Sequence, residues 1–274
     1  MSFPHNPLPP LDFAAPDVSP ELLAPAPRDP VWSGWDVLLI ALLTLTAIFV
    51  FLWVGIFAAR HFFFPTLPLA EVAKMPELGI LTQLGASCLA YLVVFAYMHS
   101  VVTRQPGAPD FLSAIRWNWP TNWGRYALLG AVLAIGLQAV AHLLPIPKDL
   151  PMDKLFQTAR EAWLFSIFGT TFAPLFEELF FRAFLYPVLV RRLGVGLAVA
   201  LTSIGFAAIH GAQLSFAWGP ILVIFTVGLV LTTIRAVTKS VAAGLIVHSA
   251  YNGTIALAMF AATSGFRHLE RLNP

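Results

Sequence analysis

Apolar residues run along this chain in long, unbroken stretches rather than in alternation. Seven stand out, at 36–59, 79–99, 124–144, 162–190, 194–214, 218–235 and 240–262. A helix needs about 20 mostly apolar residues to cross a bilayer, so each stretch predicts a spanning helix. The fourth is too long for one straight span and contains Pro174, which predicts a kink, a break or an interfacial lead-in. Seven or eight spans follow, and the fold class is an all-α, polytopic membrane protein whose helices enclose a polar cavity. Continuous apolar runs exclude a transmembrane β-barrel, which alternates. Trp32, Trp35, Trp117, Trp119 and Trp123 lie near the expected span ends, where amphipathic rings favour the headgroup zone.

Composition agrees. The 274 residues are 58% hydrophobic and 11% charged, against about 25% charged for a soluble domain, and the mean hydropathy is +0.77. Neither a soluble globule nor a disordered chain has this balance. The net charge is +2 with cations scattered along the chain, which argues against nucleic acid as a partner. The single cysteine, Cys88, lies in an apolar run, so no disulfide forms within the chain. Nine prolines among the first thirty residues predict a flexible tail over 1–33. That tail lacks the pattern of a secretory signal, so the first membrane helix is expected to direct insertion. Arg191 and Arg192 follow the fourth stretch and Arg235 and Lys239 follow the sixth; the positive-inside tendency puts both loops in the cytoplasm.

Ionisable groups inside apolar runs are costly and mark function. The aspartates and five of the glutamates fall at the periphery, leaving Glu177, Glu178, Arg182, His210 and His248, spread over three spans. Glu178 and Arg182 are four apart, acid first, and should neutralise one another. Glu177 points about 100° away on the same helix and remains free for chemistry. His248 and Asn252 are also four apart, able to face one cavity and hold an oxyanion. Glu177 with His210 would serve as general base on a water. Alternatively, Glu177, His210 and His248 would ligate a divalent metal such as zinc, whose bound water attacks. Both routes end in amide hydrolysis within the membrane.

Blander readings exist for each part. A buried Glu–Arg pair is commonly structural, Asn252 could simply bond a neighbouring helix, and His61, His99 and His142 read as interfacial. Gly130, Gly136, Gly196, Gly205, Gly228 and Gly244 read as close helix packing. The grouping of two Glu, one Arg, two His and one Asn lifts the functional reading above these. No His-Glu-x-x-His, deep aspartate pair or Gly-x-Ser-x-Gly occurs, so other hydrolase schemes fall away.

Glu177-Glu178-x-x-x-Arg182, Phe206-x-x-x-His210 and His248-x-x-x-Asn252, in that order, resemble the CPBP intramembrane proteases, the group holding the CAAX prenyl-protease 2 enzymes and the bacteriocin-processing and immunity (Abi) proteins. The resemblance covers about 162–255. It implies an endopeptidase in which Glu177 and His210 activate water, His248 and Asn252 form the oxyanion site, and Glu178 with Arg182 orient it. It also implies a water-filled cavity and, since members have been described as metal-dependent, leaves zinc open. Ala183 stands where the family has Gly. The chain accordingly divides into the tail 1–33, N-terminal helices 34–160, a catalytic core 161–262 and a C-terminal tail 263–274. Membrane lipids and a membrane-associated, CAAX-like prenylated or leader-peptide substrate are the expected partners, in a bacterial cytoplasmic membrane. The competing readings are a non-catalytic scaffold or immunity protein and a proton-coupled transporter.

Overall fold

Helices dominate because a backbone in hydrocarbon must satisfy its own hydrogen bonds. The computed structural model describes residues 29–104, 107–147 and 149–272; the expected tail lies outside the described residues as far as position 28. Ten α-helices follow in order: α1 (Gly34–Phe62), α2 (Leu69–Val72), α3 (Pro76–Thr103), α4 (Phe111–Ala114), α5 (Trp123–Ala141), α6 (Ala159–Thr170), α7 (Phe172–Glu177), α8 (Tyr186–Ile209), α9 (Trp218–Thr238) and α10 (Val241–Ala262). A π-helical segment, Glu178–Leu185, joins α7 to α8. No strand occurs among the described residues. Among the described residues six helical runs are long and apolar enough to span a membrane. Large apolar side chains such as Leu45, Phe49, Val54 and Phe57 point outward from α1, as a lipid-facing surface requires.

The count is below the expected seven or eight because stretches 162–190 and 194–214 fall within a single 51-residue stretch, Ala159–Ile209, made of helices joined across a kink. Gly194, at φ 77° and ψ 171°, breaks it, in a region of backbone space open essentially only to glycine. Glu177 and His210 lie 33 positions apart, which on a straight helix would separate them by roughly 50 Å. Their side chains are instead 3.9 Å apart. The run therefore doubles back at Gly194, which lies nearly midway between the two residues.

Other helix ends follow their sequences. Ser33 and Asp36 form a capping box at the start of α1, and Arg104 of α3 pairs with Asp36 at 2.9 Å. Thr158 and Glu161 form another box on α6. The expected interruption near Pro174 is a break at Thr171, where φ and ψ leave the helical region. α1 packs along α3, α5 along α10, and α8 along α9. Gly130 sits in the α5–α10 contact, where an added Cβ would lie 2.3 Å from the Val247 carbonyl oxygen. Gly136 and Gly196 face open space instead, so they are not packing positions.

Trp35, Trp119 and Trp123 are exposed at helix ends, but Trp32 is buried, contrary to the headgroup placement expected for it. Its indole Nε1 donates to the Phe184 carbonyl at 2.9 Å, and its ring packs on Phe184 at 4.6 Å. Arg191 donates to the carbonyls of Pro30 and Trp32. Residues 30–32 are thus pinned against the π segment rather than belonging to the loose tail.

Candidate active site

Glu177 ends α7 and Glu178 opens the π segment, so the acidic pair straddles a change of helical winding. Within the segment bonding shifts to i→i+5, with the Tyr186 amide donating to the Phe181 carbonyl. Such insertions recur at functional sites because they re-aim side chains inside an otherwise regular helix. Here they turn Glu178, Arg182 and Phe184 into the protein core.

Glu178 and Arg182 are both wholly buried, joined by Nη1 to Oε1 at 3.0 Å. Arg182 Nη2 donates to the Gly228 carbonyl at 3.2 Å, and the guanidinium lies over the Phe206 ring at 4.5 Å. Removing one partner of such a pair costs about 3–5 kcal/mol, because the other charge stays buried. Oε1 carries all the bonding of this carboxylate; Oε2 and Arg182 Nε have no hydrogen-bond partner among the described residues. Oε2 lies 2.6 Å from where a Cβ on Gly244 would stand. Glycine at 244 is therefore what admits the buried carboxylate beside α10.

The histidines come from two further helices. His248 is 3% exposed, with Nδ1 on Glu178 Oε1 at 3.0 Å and Nε2 3.5 Å from Glu177 Oε2. His210 follows the last residue of α8; its Nε2 is 3.9 Å from Glu177 Oε1 and its Nδ1 is 2.8 Å from the Phe206 carbonyl. A carbonyl only accepts, so His210 Nδ1 carries the hydrogen and its Nε2 is the atom that faces Glu177. Glu178 Oε1 likewise accepts from His248 Nδ1, which leaves His248 Nε2 toward Glu177. The Glu177 carboxylate thus bridges two imidazoles, one at each oxygen.

The structure gathers Glu177, Glu178, Arg182, His210 and His248 as the sequence led us to expect. Asn252 is placed differently: its Nδ2 donates to the Gly169 carbonyl at 2.7 Å, near the α6–α7 break, rather than to any of those five. Among the described residues one amide hydrogen and Oδ1 have no partner.

Glu177 also lines a chamber of about 270 Å³ walled by Thr44, Tyr91, Met98, Phe176, Phe180 and Ile209, among others. Apart from Glu177, Thr44 and the Tyr91 hydroxyl, its lining is apolar. As for the alternative use of Glu177, His210 and His248 as zinc ligands, no group of three His, Cys, Asp or Glu side chains among the described residues has the arrangement of a metal site.

Three residues escaped the sequence reading. Gly244 was one packing glycine among several. Tyr91 comes from α3, outside the motif-bearing helices, and stacks on Phe176 at 3.9 Å. Arg235 was assigned to a loop, yet it lies in the last turn of α9, buried, with Nε donating to the Arg182 carbonyl at 3.1 Å. A span-end arginine has no sequence mark separating it from one that reaches to the headgroups.

Among known families, residues 159–254 match the Rce1-like model, described as Type II CAAX prenyl endopeptidase Rce1-like. This agrees with the CPBP resemblance and contains all seven motif residues, while α1, α3 and α5 lie outside it. Comparison with curated proteins and with solved structures yields no match.

Proposed function

Proceeding from an Rce1-like type II CAAX prenyl endopeptidase domain over residues 159–254, we propose that this multi-pass membrane protein hydrolyses a peptide bond of a membrane-associated substrate with water activated by Glu177 and His210. The observation that carries this reading is the Glu177 carboxylate, 18% exposed, set between two imidazole Nε2 atoms at 3.9 and 3.5 Å on the wall of an apolar chamber.

In this mechanism a water between Glu177 and His210 gives up its proton to the carboxylate, and the oxygen attacks the scissile carbonyl carbon. The His210 Nε2 lone pair orients the second water hydrogen. Negative charge then develops on the carbonyl oxygen. The remaining Asn252 amide hydrogen and His248 Nε2 stabilise it, the latter donating when the ring carries both protons. Glu178 and Arg182 hold His248 in place through Oε1. Collapse of the tetrahedral intermediate breaks the C–N bond, and the departing amine takes the proton held on Glu177. The apolar chamber suits a prenylated CAAX-like C terminus, or an apolar leader segment, delivered from the bilayer.

The test uses the full chain in detergent with fluorogenic peptides, prenylated and plain. Glu177→Gln and His210→Ala should each lower cleavage by roughly 10²–10⁴-fold while keeping the wild-type melting temperature, and chelators should leave wild-type cleavage unchanged. Wild-type cleavage by Glu177→Gln would overturn the reading. Proton-coupled flux lost in that variant, with no peptide ever cut, would favour a transporter instead.

A further inference from the structure

Away from Glu177, the loop following α4 and the ends of α8 and α9 enclose a second pocket, of about 320 Å³, whose lining includes Arg116, Arg191, Arg235, Lys239 and Asp29. Among the described residues Asp29 is its single carboxylate and is taken by Arg116 at 2.6 Å, so four described cations face one anion. Three of the cations stand on the rim, while Arg235 forms the floor at 5% exposure. Its Nε is spent on the Arg182 carbonyl, and its guanidinium faces the Tyr186 ring at 5.8 Å. Neither terminal amino group of Arg235 has a hydrogen-bond partner among the described residues. Arg191 uses its own amino groups on Pro30 and Trp32 but keeps its charge.

A buried guanidinium with free donors, surrounded by uncompensated positive charge, calls for an anion with several acceptor oxygens. The space is about tenfold the volume of one water. Among the lining residues Val195 is 54% exposed, and an apolar side chain at the end of a membrane helix meets acyl chains. We propose that this pocket binds the phosphate of an anionic phospholipid headgroup, with the acyl chains lying along Val195. Basic pockets between membrane helices select such lipids by the same chemistry. The site is independent of how Glu177 is read. A headgroup here would reach the π segment through a single side chain, since Arg235 holds the Arg182 carbonyl.

The experiment takes the full chain in a neutral detergent and titrates phosphatidylglycerol, phosphatidylcholine or inorganic phosphate, read by native mass spectrometry and by thermal unfolding. One phosphatidylglycerol should be retained and should raise the melting temperature saturably, with no retention of phosphatidylcholine. Arg116→Gln with Lys239→Gln should weaken retention by roughly tenfold, whereas Arg125→Gln, outside the pocket, should not. Lys239→Gln alone, at an exposed position, gives a smaller loss of the same sign should the double variant fold poorly. Equal retention of both lipids, or an unaffected double variant, overturns the proposal. Equal protection by inorganic phosphate overturns the lipid assignment in favour of a free anion.

Discussion

Gly244→Ala is the sharpest probe of how the site is held. The added Cβ would stand 2.6 Å from Glu178 Oε2, about 0.8 Å short of the 3.4 Å at which ordinary contact begins. Neither side can give way easily. Gly244 belongs to a buried stretch of α10, and Glu178 is anchored through Oε1 to Arg182 and His248, each at 3.0 Å. The carboxylate must therefore move by most of an ångström and take the His248 ring with it. Overpacking of this kind costs about 1–3 kcal/mol, which at roughly 2–4 °C per kcal/mol lowers the melting temperature by about 2–12 °C. Catalysis is more sensitive, because a misplacement near 1 Å costs on the order of 100-fold in rate. We expect Gly244→Ala to stay folded and to lose about two orders of magnitude in kcat. Gly136→Ala, whose Cβ meets nothing within 4 Å, serves as the matched control. Wild-type kcat and melting temperature in Gly244→Ala would refute the rigid coupling from α10 through Glu178 to His248.

Three further outcomes follow from the same geometry. Arg182→Met leaves a carboxylate with no countercharge in the core and should cost about 3–5 kcal/mol; adding Glu178→Gln should restore part of the lost melting temperature. Gly194→Ala forces a side chain into φ 77° and ψ 171° at about 1–3 kcal/mol, and it should reduce cleavage as well, because the turn sets the approach of His210 to Glu177. Trp32→Phe keeps the ring contact with Phe184 but removes the indole bond to its carbonyl, costing about 0.5–1.5 kcal/mol. Thermal unfolding that shows no change in Trp32→Phe would return residues 30–32 to a loose tail.

The fold class and five of the six site residues were legible in the sequence for one reason. Hydrocarbon excludes charge, so Glu177, Glu178, Arg182, His210 and His248 stand out wherever an apolar run contains them. Asn252 was legible as a polar residue one turn beyond His248, but not in its choice of the Gly169 carbonyl. That acceptor becomes relevant only once α6 breaks beside α10. The separation of stretches 162–190 and 194–214 was legible too, and it falls at Gly194, where the backbone leaves the helical region. The buried state of Trp32 and Arg235 was hidden because both sit at helix ends, where sequence cannot separate a headgroup anchor from a side chain folded inward.

What the sequence determined by itself was which residues must be paid for inside a membrane: their apolar setting made helices obligatory and each buried charge an exception in need of a partner. Tertiary structure decided the partners. The π winding after Glu177 aimed Glu178 and Arg182 inward, the reversal at Gly194 carried His210 back to Glu177, and the bare backbone at Gly244 let α10 deliver His248 between the two carboxylates. Helical spacing relates residues three or four apart on one helix. Contacts across 33 or 70 positions depend on how helices cross, which no local pattern encodes.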